Sequence, residues 1–244
     1  MALLLQLAAF AGLLLFVRLS GLQPAPLLGA ALCGSAAALL SRFAGMAGWW
    51  WLIQFLFPPA LVLTLTLDIS PGFFLAAFLV MAAVYWSTFR TQVPLYFSSP
   101  KIWRALEPLL PPPIPDKRFT FIDLGCGIGG VLTHLAQVRP DGRYQGVEAA
   151  PLPVLLSWLR IKLGNHNNCS IQWGDLWMCD LAQYDVVFGY LSPVPMERLW
   201  RKARQEMRPG TLFISNTFAV PGQPPQQIHA VDDLHHSTLY IWRM

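Results

Sequence analysis

Three carboxylates and a run of glycines stand where they can hold a small polar ligand. Asp123 lies at the end of the apolar, β-favouring run Phe119–Leu124. Gly125, Gly127, Gly129 and Gly130 follow, with Cys126 inside the turn, and Val131 to Leu135 then opens a helical pattern. Strand, glycine turn and helix in that order bring backbone N–H groups up to a ligand at the edge of an open α/β sheet. Glycine suits the turn because it tolerates positive φ and has no Cβ to block the approach. Glu148 ends a second strand-like segment, Tyr144–Glu148. It falls about 20 residues past the glycines, where a carboxylate can accept hydrogen bonds from both hydroxyls of a ribose. Asp175 follows a third, Cys169–Trp173, so three acidic residues fall on the carboxyl edge of one sheet.

Two ligands compete for this turn. Gly125, Gly127 and Gly130 fit the dinucleotide pattern GxGxxG. Asp123, Gly125, Gly127 and Gly129 fit D-x-G-x-G-x-G, and in this they resemble the class I methyltransferases, which bind S-adenosylmethionine (SAM). Asp123 favours the second reading. A carboxylate opposes an anionic pyrophosphate, whereas the ammonium and sulfonium of SAM attract it. A glycine turn without a ligand is the third reading.

The elements that must position these residues follow a lopsided composition. The 244 residues are 55% hydrophobic and only 12% charged, too apolar for one ordinary soluble domain. From Met1 to Phe89 the only charges are Arg18, Arg42 and Asp68. Residues 1–89 therefore read as a membrane region of about four helices, from apolar runs Ala2–Val17, Leu27–Leu40, Trp49–Leu67 and Phe73–Trp86. Pro58 and Pro59 imply a kink or break in the third run. The partner of this region is the lipid bilayer. Tryptophans at 49–51 and 86 suit its interfaces, and small residues such as Gly29, Ala30, Gly34, Ser35 and Ala36 allow close helix packing. Four crossings put both ends on one face. Arg42 and the Arg90 region then lie in the cytoplasm and Asp68 outside, with a bacterial inner membrane as the default. An organelle inner membrane is the alternative.

Residues 90–118 read as a juxtamembrane linker and helix. Ser99 and Pro100 are N-cap and first residue of an amphipathic helix from Lys101 to Leu110. Arg90, Lys101, Arg104, Lys117 and Arg118 suit anionic headgroups or simple positive-inside bias. Residues 119–244 read as the ligand-binding domain. Its later elements are a helix Pro153–Leu163, a fourth strand Tyr184–Tyr190, a helix Pro195–Met207, a fifth strand Thr211–Ser215 and a closing hairpin of 228–231 with 238–242. Gly189, Tyr190 and Ser192, past the fourth strand, are placed to line a substrate channel, and Tyr96 to close it from the linker. Tyr190 as plain core packing is an equal reading. The four cysteines, without a CxxC pair, read as free thiols. His229, Asp232, Asp233, His235 and His236 read as a surface turn, with no metal expected.

The ordered set Asp123, Glu148, Asp175 with Arg208-Pro209-Gly210 before a strand resembles the class I SAM-dependent methyltransferases from Phe119 to Met244. The resemblance implies a Rossmann-like α/β fold with a seven-stranded sheet, following N-terminal transmembrane helices. It implies SAM as cofactor, bound by Asp123, Gly125, Cys126, Gly127, Gly129, Glu148, Asp175 and Leu176, with Asp175 on the adenine amino group. A narrower resemblance rests on Tyr96 to Pro100, Gly174-Asp175-Leu176-Trp177 with Asp180-Leu181, and Asp185-Val186-Val187 with Tyr190-Leu191 and Pro193. These look like the membrane-anchored protein-lysine methyltransferases of the ATP synthase c-subunit and adenine nucleotide translocase. That family usually has an acidic residue where this chain has Ile128, and one membrane segment where this chain has about four runs. The resemblance implies N-methylation of a lysine on a membrane-associated protein, with Tyr190, Tyr96 and Ser192 at the reacting centre and no nucleic-acid partner. A lipid or quinone methyltransferase is the alternative enzyme, and a SAM-binding scaffold or sensor the alternative without catalysis.

Overall fold

The computed structural model describes residues 1–67, 69–86 and 96–244, and the chain forms two compact units, 1–76 and 77–244. Asp68 and Arg90, two of the residues behind the expectations of sidedness and a basic belt, lie outside the described residues, as do residues 87–89 and 91–95.

The first unit holds three apolar helices: α1 (Ala2–Ser20), α2 (Pro26–Phe43) and α3 (Gly48–Thr66). All three are long and apolar enough to cross a membrane. The fourth expected run forms α4 (Pro71–Val84), of 14 residues. At 1.5 Å per residue it reaches about 21 Å, short of the roughly 30 Å hydrocarbon core. Among the described residues three helices are candidate spans, and α4 is a shorter apolar helix.

α2 buries the small residues Gly29, Ala30, Cys33, Gly34, Ala37 and Ser41. Ser35 instead turns its hydroxyl back to the Ala31 carbonyl. α3 runs as one helix through Pro58 and Pro59, where a kink or break was expected. Proline at 59 deprives the Phe55 carbonyl of its usual N–H donor four residues on. That oxygen faces Gly34 of α2, where a Cβ would lie 2.3 Å away. Glycine there lets the helices meet backbone to backbone.

The second unit is a seven-stranded sheet of order β3-β2-β1-β4-β5-β7-β6. Its strands are β1 (Phe119–Leu124), β2 (Gly142–Glu148), β3 (Cys169–Trp173), β4 (Val186–Gly189), β5 (Leu212–Asn216), β6 (Gln227–Ala230) and β7 (Thr238–Arg243). β1 to β5 are parallel, and β7 inserts antiparallel between β5 and β6. The helices are α5 (Pro100–Leu106), α6 (Gly130–Val138), α7 (Pro151–Leu163) and α8 (Met196–Glu206). α5 stops before the expected Leu110 and continues as a 3-10 turn, Glu107–Leu109, because Pro108 lacks the N–H a further helical turn requires. Alternation of side chains along the strands splits the core between the two sheet faces. Phe121, Phe188 and Ile214 pack with Ile102 and Leu106 of α5 and Leu132 and Leu135 of α6. Ile122, Val187, Phe213 and Trp242 pack with Leu199 and Ala203 of α8. α8 keeps Arg198, Arg201 and Arg204 exposed, with the Arg198 guanidinium over the Trp177 ring, while the half-buried Lys202 pairs with Glu206.

Candidate active site

The end of β1 at the centre of the sheet is the natural mouth of an α/β fold, since strand order reverses there between β1 and β4. Asp123 is 3% exposed at that edge. Beyond it, Gly125 and Cys126 both donate their N–H to the Val147 carbonyl of β2, which fixes the turn to the sheet. Gly125, Gly127 and Gly129 all have φ between 53° and 77°, a region that a side chain strains. At Gly129 a side chain would also have to displace a neighbour: a Cβ would lie 2.3 Å from Ser157 Oγ of α7.

Glu148 holds this turn from the neighbouring strand. Its Oε2 accepts from the Gly127 N–H at 3.0 Å, and its Oε1 accepts from the N–H groups of Ala149 and Ala150 at 2.9 Å. A carboxylate offers about four lone-pair sites, so three are already engaged in the folded turn. Accepting from both hydroxyls of a ribose, as expected from the sequence, therefore requires Glu148 to share or release one backbone partner.

Burial dominates the electrostatics. Asp123 is pushed up to about 8, by desolvation first and by the nearby Glu148 carboxylate second. The Cys126 thiol is raised well above its ordinary range, by burial first and then by Asp123 and Glu148. Cys126 is accordingly a neutral packing group and no nucleophile. The same field makes the edge favourable to a cation, which would restore Asp123 to its charged form.

Asp123, Gly125, Cys126, Gly127, Ile128 and Gly130 line a cleft of about 160 Å³, closed by Tyr96, Phe97, Ser98, Trp103, Phe188, Tyr190 and Arg160. Tyr96 stacks on Tyr190 with ring centroids 5.1 Å apart, and Phe218 lies 5.8 and 6.3 Å from the two. Tyr96 and Tyr190 thus meet across the linker and β4, as their positions suggested. The other expected residues lie elsewhere. Gly129 caps α6 behind the turn. Ser192 is buried outside the cleft lining. Asp175 is exposed and caps the short turn Leu176–Met178, accepting from the Trp177 N–H, while Leu176 is half-buried beside it.

A latch sets the aromatic wall. Ser99 accepts from the Ile102 N–H, as an N-cap should, and donates its hydroxyl to Asp233 Oδ2 at 2.7 Å. Asp233 also accepts from the N–H groups of His235 and Ser237 and from the Ser237 hydroxyl. Burial raises Asp233, but the bonds from Ser237, Ser99 and His235 outweigh it and bring it down to about 2. Asp233 is therefore a structural anchor within the expected surface turn. One residue before the latch, Ser98 accepts from the Trp103 indole N–H. Phe218, Trp103 and Arg160 escaped the sequence reading, and Asp233 was read only as part of a surface turn. Of these, only Trp103 carried a usable signal, as the large apolar residue of an amphipathic helix next to the site.

The glycines and the buried carboxylate fit a cationic ligand carrying a nucleoside: the turn leaves no side chain in its way, and Asp123 lacks the countercharge its ionised form requires. Comparisons with known proteins point the same way. Residues 123–227 match the family model described as the ANTKMT methyltransferase domain. A protein-lysine N-methyltransferase of Saccharolobus islandicus (strain REY15A) is 29% identical over 123 residues, covering 49% of this chain and 76% of that protein. A tRNA (guanine-N(7)-)-methyltransferase of Drosophila ananassae is 44% identical over 46 residues, which is 19% of this chain and 17% of that one. Among solved structures, an RNA methyltransferase from Salinibacter ruber in complex with S-adenosyl-L-homocysteine superposes with a TM-score of 0.53 at 23% identity. It covers 61% of this chain and 93% of its own. At that identity the likeness concerns the fold.

Proposed function

We propose that this chain, which carries a class I SAM-dependent methyltransferase domain, transfers a methyl group to the side-chain amine of a lysine on a membrane-associated protein. The observation that carries the reading is the aromatic wall of Tyr96, Tyr190 and Phe218 beside a carboxylate-bearing glycine turn. It is supported by the lysine-modifying relative and by three helices apolar enough to hold the enzyme at a bilayer. Bound SAM supplies an electrophilic methyl group on its sulfonium. Asp123 offers its carboxylate to the cationic part of that ligand, and Glu148 keeps the turn in the shape that admits it. Tyr96 and Tyr190 exclude water from the acceptor side. A lysine amine, with an ordinary pKa near 10.4, must be neutral to attack, and a dry aromatic surface disfavours its protonated form. Positioning and desolvation then account for most of the acceleration of an in-line displacement.

The membrane setting belongs to the same proposal: the spans anchor the domain beside its substrate, with a bacterial inner membrane and a cytoplasmic domain as the working arrangement. The test is to incubate the purified full chain with isotopically labelled methyl-SAM and membranes. Protein and lipid fractions are then counted separately, and labelled peptides are mapped. Label on lysines of membrane proteins is expected. Label confined to the lipid extract would replace a protein substrate with a lipid or quinone, and no transfer despite SAM binding would leave a binding protein.

A further inference from the structure

One cation in the cleft has no role in what precedes. Arg160 lies on α7 three residues after Ser157, so the two share a helix face. That face abuts two successive glycines. Ser157 Oγ occupies the space beside Gly129, and Arg160 Nη1 lies 3.2 Å from where a Cβ of Gly130 would be. The Trp103 ring takes the rest of that space, 2.4 Å from the same point. A side chain at position 130 would displace both groups. Arg160 lines the cleft with Asp123 and the glycine turn, and among the described residues it forms no ion pair. Ile128, in the middle of the turn, offers it no countercharge.

We infer that Arg160 binds the α-carboxylate of the ligand's amino-acid end and so selects a zwitterionic ligand over one lacking that group. This rests on the reading of the cleft as a SAM site. SAM carries two cationic centres and one carboxylate. Asp123 provides the cleft's counterpart for the cations, and Arg160 is the single cation among the lining residues to match the anion. A guanidinium presents N–H donors in a fork suited to a carboxylate, on an arginine whose own donors are not committed to a protein carboxylate.

The test compares the full chain in detergent with Arg160→Met, which keeps the aliphatic stem, and Arg160→Lys, which keeps the charge. Each is titrated calorimetrically with SAM and with decarboxylated SAM. A charge-assisted bond of this kind is expected to make SAM bind Arg160→Met about tenfold to a hundredfold more weakly. Decarboxylated SAM should bind Arg160→Met and the unaltered chain within about twofold, and Arg160→Lys should recover much of the affinity for SAM. Equal weakening toward both ligands would make Arg160 a structural residue and overturn the inference, as would unchanged affinity for SAM. If the unaltered chain binds neither ligand, the SAM reading itself fails and the inference with it. Binding of SAM with no dependence on Arg160 sinks the inference alone.

Discussion

Binding of SAM should release a proton, and Asp123 sets how much. In the ligand-free fold Asp123 sits at about 8 because it is buried and faces Glu148. A bound ammonium or sulfonium favours the carboxylate and returns it toward the ordinary value near 3.9. At pH 7 a group with a pKa of 8 is about nine-tenths protonated, so ionising it on binding releases about 0.9 proton. The ligand's own α-amine, near 7.8 when free, takes up about 0.1 as it is held charged. The net release is about 0.8 proton per site at pH 7. Affinity should rise about tenfold per unit between pH 6 and pH 7, equivalent to about 1.4 kcal/mol, and flatten toward pH 8. Calorimetry in two buffers of different ionisation enthalpy gives the proton count directly. Asp123→Asn should abolish the release and the pH slope together while weakening binding at pH 8. A release below about 0.3 proton in the unaltered chain, matched by the variant, would refute the assignment of Asp123 as the ligand's countercharge.

The same shift has the opposite sign for folding. With Asp123 raised from about 3.9 unfolded to about 8 folded, the ligand-free protein loses stability as pH rises through that window. Asp123→Asn should therefore raise the melting temperature of the empty protein at pH 7 to 8 and leave it unchanged near pH 4. Gly129→Ala combines a φ of 71° with a Cβ 2.3 Å from Ser157 Oγ, and should lose about 2 kcal/mol or more in denaturant unfolding. Adding Ser157→Ala should return part of that loss, and no recovery would place the whole cost in the backbone. Asp233→Asn weakens the bonds from Ser99, His235 and Ser237, at about 1.5–3 kcal/mol. Because Asp233 is held at about 2, below its unfolded value, its contribution is present above pH 4 and lost as pH falls toward 2. Acid titration of stability should thus separate Asp233→Asn from the unaltered chain at pH 5 and bring the two together near pH 2.

The sequence carried the parallel part of the sheet because β1, β4 and β5 are apolar runs and every strand is closed by a turn. It located β3 to the residue, and α6 to within one residue of its start, where the glycine turn gives way to a helical period. Pairing over long distances left no such trace. The hairpin 228–242 was legible as a hairpin, yet nothing local says that its second strand inserts beside β5 and leaves β6 at the edge. Ser99 was legible as an N-cap because capping is a property of neighbouring residues. Its donation to Asp233 was hidden 134 residues away. Glu148 was legible as a strand-end carboxylate, but its hold on Gly127 depends on the turn folding back over β2. In the apolar first third the run lengths were legible but the packing was not. Hydropathy alone does not separate a 14-residue helix from a span, nor say that α3 will carry two prolines and offer the freed carbonyl to a glycine.

The latch between Ser99 and Asp233 also imposes an order in time. Ser99 leaves the ribosome 134 residues before the carboxylate that receives its hydroxyl. At about 5–20 residues per second, that interval is roughly 7–27 s. Through it β1 to β4 can assemble with the glycine turn and Tyr96 can already stack on Tyr190, while Ser99 lacks its acceptor and β5 has no antiparallel neighbour. The latch is thus made last, when residues 231–243 arrive, so that a stalled or shortened product presents an unlatched aromatic wall beside an unpaired strand.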